Sequence, residues 1–339
     1  MIVLIGPSAS GKTEIGKELS KYGFKKIVTY TTRKKRSNEI DGIDYHFISE
    51  DEFNNRKKNG FFFETTKYNE NYYGTSKGDI NDNTYVILEP NGLDAYKHLD
   101  HVVTFYIYAP KEERKQRMIN RLDDINDINR RLEMDELLFN VGLGDYSIDT
   151  KRHDIKKCAL IVAGIHNKIV KNGIIKEFFD DVYQESILND SRIATRGVIL
   201  NDKNEVGIVH IKCDDIFGCR EHYEIPGGGY EPYEDAEGCL RREIEEELGV
   251  TIKDLKYLGA ISYRYNVIKQ FNLDDVFMAR VEKKTKNSLT KEEKECFDRI
   301  EWINIYELKK LLEKENKNVG ILVQRRDLFI INLVLDYLA

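Results

Sequence analysis

The stretch IGPSASGKT, residues 5–13, carries the residue types and spacing that bind a chain of phosphates. Gly6, Gly11, Lys12 and Thr13 match the pattern G-x-x-x-x-G-K-[ST], with an apolar run before the loop and a helical pattern after it. In such a loop the backbone N–H groups point at phosphate oxygens, and the following helix contributes the positive end of its dipole. Lys12 would bridge the outer phosphates, and the Thr13 hydroxyl would bind Mg²⁺. The loop therefore predicts a site for a nucleoside triphosphate.

A second group of residues that can do chemistry is acidic. Glu243, Glu246 and Glu247 stand at positions i, i+3 and i+4, so a helix would place them on one face. Carboxylates this close repel one another unless a cation neutralises them, and an all-oxygen ligand set suits Mg²⁺ or Mn²⁺. Gly249 then lies where a helix commonly ends in a left-handed glycine. Taken in isolation, the run EIEEE favours an acidic helix face exposed to solvent over a metal site.

The elements that position the phosphate loop alternate between short apolar strands and charged amphipathic helices from residue 1 to about 183. This alternation predicts a parallel sheet flanked by helices, which is an α/β fold. The predicted strands are Ile2–Ile5, Lys26–Tyr30, Tyr85–Leu88, Val102–Tyr108 and Tyr146–Ile148. The predicted helices are Thr13–Tyr22, Lys111–Arg121, Ile125–Phe139 and Ala159–Phe179.

The acidic helix belongs to a different pattern that begins near Arg192. Segments such as EVGIVHIK and LKYLGAISYRYNV indicate strands joined by polar turns, and Ala236–Leu248 indicates one helix between them. This succession predicts an α+β fold with a mixed sheet. The polar segment FFDDVYQESILNDS separates the two patterns and places the boundary near residues 185–191. The chain of 339 residues is thus predicted to form two domains, residues 1–185 and 191–339.

Composition limits the classes of partner. The chain is 41% hydrophobic and 33% charged, and it contains no apolar run of the roughly 18 residues that a membrane-spanning helix needs. A net charge of −6 gives no basic face for nucleic acid, and the N-terminus lacks the pattern of a secretory signal. We therefore expect a cytoplasmic protein without nucleic-acid or membrane partners. The five cysteines are scattered without metal-ligand spacing, which predicts reduced thiols.

The segments VTYTTRKKRSNEIDGIDYHF and FFETTKYNENYYGTSK resemble the GMP-binding region of guanylate kinases. The resemblance covers roughly residues 1–180 and implies a P-loop kinase domain with GMP-binding and lid subregions. It implies transfer of a phosphoryl group from ATP to GMP or dGMP, giving GDP or dGDP. Within these segments Arg33 and Arg36 can clamp a monophosphate, and Tyr45 and Tyr73 can donate hydrogen bonds to it.

The same resemblance assigns residues to the guanine base. Glu64 would accept hydrogen bonds from the N1–H and N2–H₂ donors of guanine, and Thr75 would complement its O6. Thr29 takes a position that is often serine, and Glu89 stands where an aspartate is usual. The nucleotide-binding residues implied in this way are Gly6, Ser8, Ser10, Gly11, Lys12, Thr13, Thr29, Arg33, Arg36, Tyr45, Glu64, Tyr73, Thr75 and Glu89.

Phosphoryl transfer needs positive charge over the transferred group, so the lid should supply arginines. Arg121 and Arg131 align best with the lid arginines of the family and join Lys12 as implied catalytic residues. The chain departs from the family at Ala9 and at Leu122, which both replace a usual glycine. Alanine is strained where the backbone needs positive φ, so Ala9 predicts a modest loss of rate.

The stretch GGYEPYEDAEGCLRREIEEELGV, residues 228–250, matches G-x₅-E-x₇-R-E-U-x-E-E-x-G-U at all nine constrained positions, where U is aliphatic. This is the signature of Nudix hydrolases, and the resemblance implies an α/β/α sandwich around the mixed sheet. It also implies Mg²⁺-dependent hydrolysis of a nucleoside diphosphate linked to another moiety, with Mn²⁺ as a possible substitute. The catalytic metal ligands implied are Glu243, Glu246 and Glu247.

Two further roles in this stretch follow from the same resemblance. Arg242 is expected to tether the loop through Glu234 or another carboxylate rather than to touch the substrate. The base that activates water is left open between a glutamate of the signature and a downstream acid. The downstream candidates are Asp274, Asp275, Glu292 and Glu293.

Two alternatives to a bifunctional enzyme stay open at this point. One half could be a non-catalytic module for nucleotide sensing or protein interaction, but interaction scaffolds typically lose the phosphate-loop lysine, and Lys12 is present. The kinase could also act on another phosphorylated acceptor, such as a sugar phosphate, but Glu64 favours guanine. These motifs specify neither the Nudix substrate nor the oligomeric state.

Overall fold

The computed structural model describes residues 1–36, 39–68, 70–88, 90–96, 98–139, 142–290, 293–314 and 319–339. The chain forms two compact units. The first unit contains Met1–Lys171 and Leu188–Ser191, and the second contains Asn172–Ile187 and Arg192–Ala339. Residues 172–185, which the sequence groups with the first domain, therefore pack with the second unit.

The first unit is built on two sheets. Its strands are β1 (Ile2–Ile5), β2 (Lys25–Lys26), β3 (Tyr30–Thr31), β4 (His46–Phe47), β5 (Phe62–Tyr68), β6 (Asn71–Ser76), β7 (Thr84–Leu88), β8 (Val103–Tyr108) and β9 (Tyr146–Asp149). Its helices are α1 (Lys12–Leu19), α2 (Glu50–Lys58), α3 (Lys111–Asn120), α4 (Ile125–Leu138) and α5 (Ile155–Val170). A five-stranded parallel sheet has the order β2-β7-β1-β8-β9, and a four-stranded sheet has the order β4-β3-β6-β5. This arrangement confirms the predicted α/β fold.

Strand β1 lies in the middle of the parallel sheet because all of its residues are apolar and buried. Gly11 follows in a left-handed conformation, with φ 109°, and marks the start of α1. Ile15 and Leu19 of this helix are fully buried. The carboxyl ends of parallel strands meet at one edge of a sheet, so the phosphate loop lies beside the loops that follow β8 and β9.

The second unit is built around one mixed sheet. Its strands are β10 (Ile174–Phe178), β11 (Asp190–Leu200, beginning in the first unit), β12 (Glu205–Asp215), β13 (Gly218–Glu224), β14 (Val250–Tyr265), β15 (Gln270–Lys284) and β16 (Phe297–Asn304). Its helices are α6 (Ala236–Leu248), α7 (Glu293–Cys296), α8 (Ile305–Leu312) and α9 (Val319–Leu338). The strand order is β10-β14-β15-β11-β12-β13, with β16 paired to β12. Strand β14 pairs parallel with β10 and antiparallel with β15, which confirms the predicted mixed sheet.

Helix α6 has the predicted bounds because both of its ends are capped. The Asp235 carboxylate accepts a hydrogen bond from the Gly238 N–H at 2.7 Å, and Gly249 ends the helix with φ 65°. Leu240 and Ile244 are fully buried on the face that packs against the sheet. The glutamates of the helix therefore occupy the remaining faces.

Two predicted elements of the first half differ from the structure. The helix predicted over Ala159–Phe179 ends at Val170, and Asn172 then adopts φ 49°. The rest of that segment forms β10, because its backbone pairs with β14. The strand predicted over Lys26–Tyr30 divides, since β2 pairs with β7 in the parallel sheet whereas β3 joins the smaller sheet.

The expectation of five reduced thiols is wrong. Cys213 and Cys296 form a disulfide, whereas Cys158, Cys219 and Cys239 are free. Strand β12 pairs with β16 so that Ile211 lies opposite Phe297, and this register brings the two paired cysteines together.

The described helices can be compared with the length and apolar character that a membrane-spanning helix needs. The longest helix, α9, has 20 residues and includes the charged, buried pair Arg326 and Asp327. Among the residues that the structure describes, no helix combines the length and the apolar character that crossing a membrane requires.

Candidate active sites

The phosphate loop is held in the conformation that its glycines allow. A side chain at Gly6 is excluded, because an added Cβ would lie 2.3 Å from the carbonyl oxygen of Ile107. The Lys12 ammonium group donates hydrogen bonds to the carbonyl of Gly6 and, at 2.9 Å, to that of Pro7. It is therefore drawn into the loop that the phosphates would enter. The side chain of Thr13, the predicted magnesium ligand, is exposed beside it.

A buried ion pair anchors the rim of the same loop. The Asp135 carboxylate accepts hydrogen bonds from the Ser8 N–H at 2.9 Å and from the Ser8 hydroxyl at 3.3 Å. Arg114 neutralises this carboxylate at 2.8 Å, and both side chains are almost completely buried. Removing either partner would leave an unpaired buried charge, which is costly. Sequence reasoning missed this pair because Arg114 and Asp135 belong to no phosphate-binding pattern.

Ala9 adopts φ 60°, in the left-handed region that glycine tolerates without strain. Leu122, the second residue that replaces a usual glycine, also has φ 60°. Both departures from the family pattern therefore keep the backbone conformation of a glycine. At such a position an L side chain costs about 1–2 kcal/mol.

We expect Ala9→Gly to stabilise the first unit by about 1 kcal/mol, because the strain disappears. The kinase turnover that the sequence resemblance implies should then rise, or its KM for ATP fall, by a few-fold. Thermal denaturation and steady-state kinetics of the full chain measure both effects. Ala163→Gly is the matched control, since Ala163 lies inside α5 and is buried. There the same change should destabilise by about 1 kcal/mol. A loss of stability with Ala9→Gly would contradict the assignment of strain.

A polar cleft beside the loop collects most of the predicted phosphate-binding residues. Its lining residues include Ser8, Ala9, Lys12, Thr13, Thr29, Arg33, Arg36, Tyr45, Tyr73, Arg121 and Arg131. Arg33 lies over the ring of Tyr45 at 5.3 Å and pairs with Glu39 at 2.6 Å. The Glu39 carboxylate also accepts the Arg36 N–H at 2.8 Å, so one acid orders both predicted phosphate ligands. Lys26 lines the same cleft and was missed by sequence reasoning.

Glu64 and Thr75, the two residues predicted to contact the guanine base, are hydrogen-bonded to each other. The Thr75 hydroxyl donates to one Glu64 carboxylate oxygen at 2.9 Å, whereas the other oxygen is buried with no hydrogen-bond partner among the described residues. Burial raises the pKa of Glu64 to about 7. Gly92 faces this carboxylate, since an added Cβ would lie 3.5 Å from the unpaired oxygen. An unpaired buried acceptor is costly, so the site suits a ligand that supplies donors.

The predicted lid arginines meet at one acid. Arg121 and Arg131 pair with Asp123 at 3.2 Å and 3.3 Å, respectively, and both line the cleft that contains Lys12. Asp123 thus keeps the two guanidinium groups together at the mouth of the cleft. Glu89, the remaining predicted nucleotide ligand, lies outside the described residues.

The acidic signature of the second unit packs against a glycine turn. Glu243 is buried, and a Cβ added to Gly228 would lie 2.3 Å from its carboxyl carbon, so only glycine fits there. Glu247 accepts the Gly227 N–H at 2.7 Å. Removal from water raises the pKa of Glu243 and raises that of Glu247 to about 8. Carboxyl groups whose ionised forms are disfavoured in this way form an oxygen donor set that fits a divalent cation.

Arg242 makes the contact that the sequence predicts. Its guanidinium group pairs with Glu234 at 3.0 Å and donates to the carbonyl of Gly229 at 3.0 Å. It also contacts Glu243 at 2.7 Å and Glu246 at 3.1 Å. Arg242 therefore ties the loop to the helix and partly neutralises the acids of the signature.

The two described downstream base candidates are already engaged. Asp274 is fully buried and pairs with Arg196 at 3.2 Å, and the Tyr263 hydroxyl donates to it at 2.8 Å. Asp275 accepts the Tyr230 hydroxyl at 2.5 Å. Glu292 and the side chain of Glu293 lie outside the described part of the chain.

The cleft above the signature contains residues that sequence reasoning did not single out. Arg192, Arg196 and Glu224 line it together with Gly227–Gly229, Glu243 and Glu247. Arg196 pairs with Glu224 at 2.9 Å. Desolvation by burial would raise the pKa of Glu224, but the charge of Arg196 outweighs it, and the pKa lies well below its usual range. Arginines beside the acids are the expected means of holding the anionic substrate of a metal site.

Comparison with known proteins agrees with this geometry. A family model described as guanylate kinase matches residues 1–156, and one described as NUDIX domain matches residues 190–323. The guanylate kinase of Lactiplantibacillus plantarum is 35% identical over 144 residues, which cover 39% of this chain and 70% of that protein. The guanylate kinase of Ehrlichia ruminantium is 30% identical over 200 residues, which cover 53% of this chain and 95% of that protein. The chain therefore belongs to the guanylate kinase family, and it carries a NUDIX domain in its second half.

One solved structure similar to the second half is a NUDIX hydrolase from Nitrosomonas europaea. It is 17% identical to this chain, covers 44% of this chain and 88% of its own length, and has a TM-score of 0.34.

Proposed function

We propose that the first unit transfers a phosphoryl group from ATP to GMP or dGMP. The observation that supports this most directly is the single cleft lined by Lys12, the pair Arg33 and Tyr45, and the lid arginines Arg121 and Arg131. A donor polyphosphate on the loop and an acceptor monophosphate on Arg33 would then meet between cations. Positive charge around the transferred group is the main requirement of this chemistry.

Each group has a distinct part in the proposed reaction. Lys12 leaves the carbonyls of Gly6 and Pro7 and binds the outer phosphates of ATP, while Arg33 and Tyr45 orient the acceptor phosphate. Arg121 and Arg131 approach the transferred group and stabilise the charge that develops on it. Magnesium held by the Thr13 hydroxyl would neutralise the phosphate oxygens. Ordering of the acceptor by Glu64 brings its phosphate into line with the donor.

We expect Glu64→Gln to raise the KM for GMP by about 10- to 100-fold and to leave the KM for ATP within about twofold, because the amide pairs poorly with the guanine donors. In the wild type, guanine must bind the ionised carboxylate, whose pKa before binding is about 7. The KM for GMP should therefore rise about tenfold for each pH unit below 7 relative to that of the variant, whose own pH dependence reflects only titration of the GMP phosphate.

Glu70→Gln is the matched control, since Glu70 is exposed and pairs only with Lys67 among the described residues. Steady-state kinetics of the full chain between about pH 5.5 and 8, a range that spans the pKa of Glu64 at about 7, measure both effects. An equal loss of ATP and GMP affinity in Glu64→Gln would show that Glu64 does not read the base.

We also propose that the second unit hydrolyses a nucleoside diphosphate linked to another moiety. The supporting observation is the contact of Glu243 and Glu247 with the turn Gly227–Gly228, which brings together two carboxyl groups with raised pKa values that would suit a divalent cation. Divalent ions bound there would polarise the diphosphate and acidify the attacking water. Since Asp274 is fixed by Arg196 and Tyr263, a glutamate of the signature is the better candidate for the base.

A substrate panel tests this second activity. The full chain with Lys12→Ala is incubated with GDP-sugars, GTP, dGTP and oxidised dGTP in Mg²⁺ or Mn²⁺, and the released products are separated by anion-exchange chromatography. The substitution silences the kinase, so any GMP formed accumulates instead of being phosphorylated. A guanosine monophosphate product would link the two activities, because it is the acceptor of the first unit. Absence of a guanosine monophosphate product would overturn this link between the two activities.

A further inference from the structure

Two clefts adjoin the phosphate loop, and they share Lys12, Thr13 and Arg121. The first contains Arg33 and Tyr45 and suits the acceptor phosphate, as described above. The second is lined by the loop residues Ser10–Glu14 and by Thr150, His153, Asp154 and Ile155. If the donor phosphates bind at the shared boundary, as the proposed kinase function requires, the nucleoside part of the donor would occupy the second cleft.

The wall of the donor cleft is formed by the segment after β9. Thr150 donates to the carbonyl of Ser10 at 2.8 Å, and Arg117 donates to the hydroxyl and to the carbonyl of Thr150 at 2.9 Å each. Arg117 also contacts the carbonyl of Ala9 at 3.3 Å. The position of this wall is therefore coupled directly to the phosphate loop.

A carboxylate from far along the chain holds the wall from behind. Asp190 is fully buried and accepts a hydrogen bond from the Asp149 N–H at 3.2 Å. Each of its two carboxylate oxygens is 3.1 Å from the ring nitrogen Nε2 of His153. Arg152 is within 3.6 Å of the same carboxylate. The neighbouring Ser191 hydroxyl donates to the carbonyl of Ser147 at 2.8 Å. Residues 188–191 are thus fastened to the first unit by their own side chains.

We propose that Asp190 is a positioning residue of the donor-nucleotide site. It acts through His153 and Asp149, which flank Thr150, and so sets the distance between the wall and the phosphate loop. Asp190 lies beyond residue 156, where the guanylate kinase match ends, and is the first residue of the NUDIX match. The donor site of the kinase is therefore completed by a residue outside the kinase match, an inference that rests on the proposed kinase function.

The physical basis is the cost of a buried carboxylate. Asp190 has no access to water, so its charge depends on the groups that surround it, among them the Asp149 N–H, His153 and Arg152. Removing the charge frees His153 and Arg152, and His153 lines the donor cleft. The substitution should therefore weaken the binding of ATP and leave the binding of GMP unchanged.

The test compares Asp190→Asn and Asp190→Ala in the full chain. Asparagine keeps an acceptor for the Asp149 N–H and should raise the KM for ATP about 3- to 5-fold, whereas alanine should raise it about 10-fold or more. The KM for GMP and the turnover at saturation should stay within about twofold. Asp181→Asn is the matched control, because Asp181 is an exposed acid that pairs with Arg325 at 2.5 Å.

A double-mutant cycle with His153→Gln separates positioning from general loss of stability. If Asp190 acts through His153, the Asn and Gln substitutions together should raise the KM for ATP no more than the larger single effect. Equal increases in both KM values, or a lower melting temperature with an unchanged KM for ATP, would overturn the proposal. Titration calorimetry with ADP compares nucleotide binding by the wild type and the Asp190 variants without any turnover. If the wild type lacked kinase activity, the proposed function would be refuted, and the ADP affinities would still test the role of Asp190.

Discussion

Replacing Lys12 by alanine is expected to lower kinase turnover by about 10³-fold, the scale of removing one charged group that stabilises a transition state. The ammonium group of Lys12 is one of the cations that line both the donor and the acceptor cleft, and within the loop it is held by the carbonyls of Gly6 and Pro7. A coupled assay of ADP formation from ATP and GMP measures the loss. The hydrolysis proposed for the second unit should stay within about twofold, since Lys12 does not line the cleft above the acidic signature.

Lys17→Ala is the control for this substitution. Lys17 lies in the same helix, is exposed, and pairs with Glu14 at 2.8 Å, so its removal should cost less than about 1 kcal/mol of stability and leave turnover unchanged. Equal losses in the two variants would point to damage of α1 and not to loss of phosphate binding. Retention of turnover by Lys12→Ala would refute the phosphate-loop assignment.

The parts of both sites that the sequence predicts are those defined by neighbours in the chain. The burial of Ile2–Ile5 follows from four consecutive apolar residues, and the end of α6 follows from Gly249, because caps and strands depend on local chemistry. The contact of Arg242 with Glu234 is likewise predicted, since the two residues are only eight positions apart, with the first turns of α6 between them. Phosphate loop and acidic signature are therefore found from spacing alone.

The parts that the sequence does not predict depend on contacts between distant residues. Asp135 reaches Ser8 across 127 positions, and Cys213 meets Cys296 across 83, so neither pair has a local signal. The segment Ile174–Phe178 has an apolar pattern that extends the preceding helix, yet pairing with β14 makes it a strand. Tertiary pairing overrides local preference at these positions, and the same holds for Asp190 behind the donor cleft.

The buried ionisable groups of the two units differ in whether their charges are balanced. In the first unit the buried pair Arg114 and Asp135 is neutral overall and fixes the loop. In the second unit Glu243 and Glu247 are close together, and burial raises the pKa of each carboxyl. The charges of the first arrangement compensate each other, whereas the two carboxyl groups of the second would be stabilised by a bound cation. Substitution of a carboxyl should therefore have different consequences for stability in the two units.

Glu247→Gln is expected to lower Nudix hydrolysis by about 10³-fold or more, because a metal ligand is lost. Without metal the variant should be at least as stable as the wild type. Glutamine keeps an oxygen for the Gly227 N–H and removes a carboxyl group whose charge is disfavoured by burial and by Glu243. With Mn²⁺ the wild type should melt at a higher temperature, whereas the variant should show little or no shift, because only the native site binds the ion.

Glu245→Gln is the matched control, since Glu245 is an exposed residue of the same helix. It should keep both the hydrolytic rate and the Mn²⁺-dependent rise in melting temperature. The thermal measurement needs no substrate, so it tests the cation site even before the substrate panel has identified one. If Glu247→Gln retained the full Mn²⁺ shift, Glu247 would not be a metal ligand, and the hydrolytic role would pass to the acids that still bind the ion.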